Sequence, residues 1–197
     1  MKAFKGYEEA KVYGQTKKLP TGGYVLKIKD VRLEEGKGNN SDQLVIAFDI
    51  DEGEQKGFFD ENFKAQTQED KKWKGTYRLW CPKDDGSEQD AWTKDKFKTF
   101  IYAIEESNDG FHWNWDEKKL KGKLLGGIFN DKEYSFNGKH GFFTNMYSAV
   151  PVEVIRSGAY KVPDPTLLKG STYSPNAAVS TDGFMNIPEG VDEEVPF

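Results

Sequence analysis

The sequence has few of the residues that build disulfides, zinc sites or membrane spans. It contains one cysteine, Cys81, and two histidines, His112 and His140. A single cysteine excludes an intrachain disulfide framework and suits a reducing cytoplasm, and one cysteine with two histidines gives no ligand spacing for a structural zinc site. No apolar run approaches the roughly 18 residues that a membrane-spanning helix needs, and the N-terminus lacks the apolar stretch of a secretory signal. We therefore expect a cytoplasmic protein with no membrane contact.

Sequence signatures of enzymes are equally scarce. The chain has no Gly-rich phosphate loop, no nucleophile elbow and no metal-ligating helix, and its two histidines have no evident partners for a catalytic triad. The carboxylate pairs Asp49/Asp51 and Asp84/Asp85 could bind the metal of a nuclease, but such pairs are common at strand ends and in turns. We expect neither enzymatic activity nor a cofactor or metal, and a metal-dependent DNA-processing enzyme remains an alternative.

The acidic charge of the chain is concentrated in its C-terminal part. The formal net charge is −5, and residues 162–197 account for all of it with six acids and one lysine. The first 161 residues therefore contain 27 basic and 27 acidic side chains. A neutral body of this kind has room for a basic face. Aromatic residues make up 14% of the chain, which is high for so polar a sequence.

Hydrophobic patterns predict five strands and one helix. The predicted strands cover residues 24–33, 43–51, 76–80, 123–134 and 142–156. The helix is predicted to begin at Thr93 as its N-cap and to end before Asn108. The long polar segment 52–74 is predicted to be a loop that contacts a ligand.

This order of elements predicts a mainly β protein. Three strands, a helix and two further strands are the order of a five-stranded OB-fold, a Greek-key barrel with its helix between strands 3 and 4. A β-sandwich is the alternative fold. We expect residues 1–161 to form this domain and residues 162–197 to form a disordered tail, a flexible linker that ends in an acidic tip.

The third predicted strand combines aromatic and basic side chains. Single strands of nucleic acid are bound by aromatic faces that stack bases and by cations that follow the phosphates. Tyr77, Arg78 and Trp80 supply both kinds of group within four residues. Alternation places Arg78 and Trp80 on one face, and Leu79 makes the opposite face, with Tyr77, the better candidate for the core. Trp80 could instead fill one end of the barrel.

Further candidates for DNA contact come from the first strand, the long loop and the last two strands. They are the basic or aromatic residues Lys27, Lys29, Arg32, Phe59, Lys72, Trp73, Lys74, Phe129, Tyr134 and Phe143. The three cations of the first strand share its polar face and could form a phosphate track. Trp73 lies within a dense run of lysines on a predicted loop. Some aromatic residues of these segments must pack in the core.

The C-terminal end carries the most specific motif. It reads Asp192-Glu193-Glu194-Val195-Pro196-Phe197, three acids before an apolar residue, a proline and a terminal phenylalanine. A partner could bind the Phe197 ring and its terminal carboxylate, while the acids steer towards a basic surface. This ending resembles the acidic C-terminal tip of bacterial single-stranded DNA-binding proteins, which recruits other proteins.

The body carries a second resemblance. Its motifs are Phe4-Lys5-Gly6-Tyr7, Leu19-Pro20-Thr21-Gly22-Gly23-Tyr24 and Leu120-Lys121-Gly122-Lys123. With them the body is similar to phage and prophage OB-fold proteins encoded among replication and recombination functions. The two resemblances imply a phage protein that coats single-stranded DNA during replication, recombination or repair and recruits partner proteins through its tip. A homo-oligomer stays open, and a carbohydrate- or protein-binding β domain is the leading alternative.

Overall fold

The computed structural model describes residues 18–171, together with Lys5 and Tyr7. These residues form mainly β structure, one five-stranded antiparallel sheet with short helices packed on it. In chain order the elements are β1 (Gly22–Glu34), β2 (Gln43–Ile50), α1 (Phe58–Ala65), β3 (Thr76–Trp80), α2 (Glu88–Glu105), the 3-10 helix η1 (Glu117–Leu120), β4 (Leu124–Phe136), β5 (Lys139–Val150) and α3 (Val152–Arg156). Within the described part of the chain, no helix is both long enough and apolar enough to cross a membrane.

The five strands lie in the order β3-β2-β1-β4-β5, and all neighbours are antiparallel. Strands β3 and β5 are therefore the two edges, and no ladder joins them within the described residues. The predicted five-stranded barrel is therefore not closed, and its strands form an open sheet. Strand β3 has five residues against twelve in β5, and α2 contacts both edge strands.

The core lies on the face of the sheet that α2 covers. Leu26 and Ile28 of β1 point into it, and a bulge between Ile28 and Asp30 shifts the alternation so that Val31 is the next core residue. From α2, Phe100 reaches the same core and stacks on Tyr77 of β3 at a ring-centroid distance of 5.6 Å. The opposite, outward face of β1, β2 and β3 therefore carries the polar half of their alternation.

Helix α2 begins six residues earlier than the sequence pattern predicts. Its N-cap is Ser87, whose side-chain oxygen accepts a hydrogen bond from the backbone N–H of Asp90 at 3.1 Å. Thr93, the predicted cap, is a buried residue inside the helix and donates its hydroxyl to the Gln89 carbonyl. A serine followed three residues later by an acid is a recognised helix start, and it decides the boundary here.

Two short helices were not predicted. Helix α1 lies inside the polar segment 52–74, and α3 replaces the end of the predicted fifth strand, which stops at Val150 before Pro151. Helix α3 packs on the outward face of β4, where a Cβ on Gly126 would lie only 2.6 Å from Ile155. Glycine at this position therefore lets α3 cover the outward face at β4 and leaves β2 and β3 uncovered by it.

The folded body extends beyond the predicted boundary at residue 161. Thr166 pairs with the edge of β4 and exchanges backbone hydrogen bonds with Asp131 and Glu133. The buried Asn130 amide donates to the Asp164 carbonyl and the Thr166 hydroxyl. Residues 164–171 are thus attached to β4, although the sequence predicts a linker there.

Candidate nucleic-acid interface

Two rows of outward side chains cross β1, β2 and β3. In register, they are Arg32, Val45 and Arg78 in the first row and Glu34, Gln43 and Trp80 in the second. Arg78 and Trp80 therefore point away from the core, while Leu79 between them is buried in it, as alternation predicts. Because neighbouring strands are about 4.8 Å apart, the two arginines lie about two strand spacings from each other. We call the side chains of these two rows the outward basic face.

The two arginines of this face converge on one carboxylate. Arg32 donates its Nε and Nη2 to Oε1 of Glu34 at 2.9 and 2.6 Å, and Arg78 donates Nη1 to Oε2 at 2.6 Å. Arg78 also reaches the Gln43 side-chain oxygen at 3.2 Å. The hydrogen bond from Arg78, strengthened by Arg32, holds the pKa of Glu34 below its usual range. With two guanidinium groups and one carboxylate, the group carries a net positive charge.

Lys27 and Lys29 continue the basic surface along β1. Both are exposed on the outward side of the strand, and neither makes an ion pair within the described part of the chain. From Arg32 to Lys27 the strand rises about 16 Å at roughly 3.3 Å per residue. The three cations of the predicted phosphate track therefore lie along the central strand β1, and the exposed Asp30, which pairs with Lys121 at 3.4 Å, lies between Lys29 and Arg32.

A groove of about 250 Å³ adjoins the lysine end of this track. It is lined by the three lysines Lys27, Lys29 and Lys56 and by the three carboxylates of Asp49, Asp51 and Asp60. One of these, the buried Asp49, accepts hydrogen bonds from the backbone N–H groups of Phe59 and Asp60, so its charge caps the helix. Sequence reasoning missed Lys56, because nothing in the pattern of segment 52–74 indicates that it folds back to β1.

The aromatic residues of segment 52–74 serve mainly in packing. Phe59 of α1 is buried and meets Phe48 edge-on at 5.4 Å, so its ring is not available to a base. The Trp73 indole packs against the core and donates its N–H to the carbonyls of Phe48 and Gly75 at 3.1 and 3.0 Å. Of the predicted run, the side chains of Lys72 and Lys74 are exposed.

The aromatic candidates of the last hairpin are separated from the outward basic face. Phe129 is 1% exposed in the core and Tyr134 is 7% exposed. Phe143 is half-buried against Tyr134 at 6.3 Å, with the Lys132 ammonium 6.0 Å from its ring. Since β1 and β2 lie between β4 and β3, the hairpin does not join Arg78 and Trp80 in one site.

The remaining sequence-predicted candidates divide in the same way. Tyr77 faces the core and stacks on Phe100, so it is a packing residue. The tip residues 192–197 lie outside the described residues. Within those described residues, no three side chains of His, Cys, Asp or Glu come together as a metal site would require. The structure thus brings together Lys27, Lys29, Arg32, Arg78 and Trp80.

The chain matches no protein-family model and no curated protein. What the site can do therefore follows from its own geometry. Sequence reasoning did not select Glu34, which binds both arginines of the outward basic face. Alternation from Arg32 places it on the same side of β1, and that signal was present in the sequence.

Proposed function

We propose that this protein binds single-stranded DNA on the outward basic face of an OB-fold domain. The order of the sheet supports the fold. Read from β4 to β3, it is the spatial order 4-1-2-3 of a Greek key, with a long connection through α2 and η1 returning β4 to the side of β1. An OB-fold is a partly open barrel of this kind and binds oligonucleotides on the face of its second and third strands.

One observation carries the functional part of the proposal. Arg78 and Trp80 stand two residues apart on the outward side of β3, and Arg32 lies in the same row as Arg78. An indole beside guanidinium groups offers a base-stacking surface next to phosphate contacts. Lys27 and Lys29 extend the cationic surface along β1, so a strand can follow the sheet face over several nucleotides. Such contacts do not read base edges, and we propose binding with little sequence preference.

We further propose a role in coating single strands during phage replication, recombination or repair. The acidic tip at residues 192–197 would recruit partner proteins while the body holds the strand. This part rests on the sequence of the tip, and the chemistry of Phe197 with three preceding acids supports it.

A fluorescence titration tests the binding proposal. Oligo-dT added at low salt is expected to quench tryptophan emission, and a duplex of the same length is expected to bind more weakly. Because the chain has five tryptophans, Trp80→Phe and Trp92→Phe are compared with the wild type. Trp92 is 52% exposed on α2, away from the sheet face. Loss of the quench in Trp80→Phe alone supports the site.

Other results of the same titration would reject the proposal. Quenching by an oligosaccharide but not by oligo-dT would indicate a carbohydrate-binding module. Degradation of the oligonucleotide on addition of Mg²⁺ would indicate a nuclease. Equal affinity for single strands and duplex would exclude a preference for unpaired DNA.

A further inference from the structure

We propose that Glu34 occupies the position of a DNA phosphate on the outward basic face and is exchanged for that phosphate when a strand binds. This inference deepens the proposed function and rests on it. It makes Glu34 a residue that sets the affinity and salt dependence of binding, and it assigns Arg32 and Arg78 jointly to one phosphate.

The geometry of the carboxylate supports this assignment. Each carboxylate oxygen of Glu34 accepts hydrogen bonds from a different guanidinium group. Oε1 accepts from Arg32 and Oε2 accepts from Arg78, at distances from 2.6 to 2.9 Å. A phosphodiester likewise carries one negative charge and two unesterified oxygens. The arginine fork binds carboxylate and phosphate with the same geometry. Two arginines that hold a carboxylate in this way are already placed to hold a phosphate.

The surroundings of Glu34 leave room for such an exchange. Its side chain is 36% exposed and that of Arg32 is 65% exposed, so solvent and a ligand can reach the ion pairs. Ion pairs at this degree of exposure contribute little to stability, so their replacement costs the fold little. Beneath them Val45, in the same row as both arginines, is 6% exposed. The guanidinium groups therefore lie next to the buried apolar side chain of Val45.

The position of Trp80 fits the same exchange. It stands in the row of Glu34, with Gln43 between them. A base that stacks on the indole brings its backbone next to the place that the carboxylate holds. Glu34 would keep both arginines in position while the face is empty, and it would oppose an incoming phosphate by charge. Removing its charge should thus strengthen binding.

The test compares Glu34→Gln with Glu35→Gln in the full chain. Both variants lose one negative charge, but Glu35 is the exposed next residue and makes none of the hydrogen bonds to Arg32 or Arg78 found among the described residues. Binding of a fluorescent oligo-dT is measured over a series of salt concentrations. Removing the competing carboxylate charge should have the weight of one phosphate contact, which tightens binding about fivefold near 0.1 M salt and steepens the log–log salt slope by about 0.7. We expect this gain for Glu34→Gln and a smaller one, with an unchanged slope, for Glu35→Gln.

The gain should also depend on both arginines. In a double-mutant cycle, Arg32→Ala or Arg78→Ala should remove the advantage of Glu34→Gln. A second readout uses the wild-type chain and does not depend on a variant that folds. On addition of oligo-dT, the carboxyl carbon of Glu34 should shift in its NMR spectrum as the ion pairs break.

Two results overturn the exchange, and they differ from failure of the proposed function. If the wild type binds oligo-dT but Glu34→Gln binds no better than Glu35→Gln, Glu34 does not occupy a phosphate position. If the Glu34 carboxyl signal stays unchanged at saturation, the ion pairs persist in the complex and the exchange is likewise excluded. If the wild type binds no single strand at all, the proposed function itself fails, and this inference fails with it.

Discussion

Trp73 and Trp80 flank the same strand, but their surroundings assign them different roles. Trp80 lies on the outward side of β3, while Trp73 packs against the core and donates its indole N–H to two backbone carbonyls. The sequence treats them alike, since both are tryptophans next to basic residues. The hydrogen bonds of Trp73 and the strand register of Trp80 show that one indole is used within the fold and that the other lies on the outward side of the sheet, where it is half-buried.

We expect Trp80→Ala to weaken single-strand binding by about 1–3 kcal/mol, the range for loss of one stacked base. Its melting temperature should stay near that of the wild type. Trp73→Ala should instead destabilise the fold by about 2–3 kcal/mol, through lost packing and the loss of two hydrogen bonds to backbone carbonyls, which lowers the melting temperature by roughly 5–10 °C. Titration with oligo-dT and thermal unfolding separate the two effects. A Trp80→Ala protein with normal affinity and a much lower melting temperature would show that Trp80 packs in the core and does not stack a base.

The Glu34 carboxyl should titrate at lower pH in the wild type than in Arg78→Ala. Its pKa is lowered in the folded protein, chiefly by the hydrogen bond from Arg78. The unfolded chain has an ordinary glutamate pKa of about 4.3, so the stability that Glu34 contributes is present above that pH. It is lost as the pH falls through the folded pKa. Carboxyl NMR across pH 2–7 checks this, and identical titration curves for the two proteins would contradict it.

Helix α1 depends on a residue outside its own segment. Gly57 at its N-cap has no side chain to accept the first N–H groups, and the Asp49 carboxylate of β2 accepts those of Phe59 and Asp60 instead. Because this carboxylate is 5% exposed, water cannot easily replace it. The hydrogen bonds from Phe59 and Asp60 to Asp49 therefore hold the polar segment 52–74, including Lys56, beside β1.

Asp49→Ala should destabilise the protein by about 2 kcal/mol, as loss of a buried helix cap does. Asp49→Asn keeps one acceptor oxygen and should cost less. Asp51→Ala is the matched control, since Asp51 lines the same groove without capping the helix. Urea unfolding measures stability, and hydrogen exchange at Phe59 and Asp60 localises the effect. Wild-type exchange rates at these two amides in Asp49→Ala would show that the cap is dispensable.

The strands could be predicted from the sequence because their alternation is local. The outward position of Arg78 and Trp80 followed from it directly. Helix α1 could not be predicted, because its cap comes from Asp49 in a different element. The start of α2 was misplaced although Ser87 and Asp90 carry the signal, since the stronger apolar repeat begins only at Phe97. The open sheet depends on how α2 meets both edges, and no local pattern encodes that contact.

The net negative charge of the chain is contributed entirely by residues 172–197. Residues 172–197 contain five acids and no basic side chain, so the first 171 residues carry no net charge. A chain truncated after residue 171 should bind single strands at least as tightly as the full chain, because the removed segment repels phosphate. The difference should disappear near 1 M salt, where screening acts within about 3 Å. Weaker binding by the truncated chain at every salt concentration would mean that the acidic segment assists binding.

Truncation after residue 161 should have a different effect. It removes Thr166 and the Asp164 carbonyl, which satisfy the buried Asn130 amide. A buried donor left without partners costs about 1–3 kcal/mol, so this protein should melt several degrees below the chain that ends at residue 171. Equal melting temperatures would show that residues 162–171 are not part of the cooperative unit. The melting temperatures of the chains that end at residues 161 and 171 therefore show whether residues 162–171 belong to the folded domain.

The tip at residues 192–197 should act independently of the sheet face. We propose that a partner binds the Phe197 ring in an apolar pocket and the preceding acids with cations. The three acids before it should raise the association rate more than the final affinity. Deleting Phe197, or adding residues after it, should abolish partner capture and leave oligo-dT binding unchanged. Replacing the three acids by Asn and Gln should weaken capture most at low salt, where steering is strongest.

Capture of proteins from host lysate tests the role of the tip. Intact and Phe197-deleted protein are used as baits, and the bound proteins are identified by mass spectrometry. Identical sets of replication and repair proteins on the two baits would exclude recruitment through the tip.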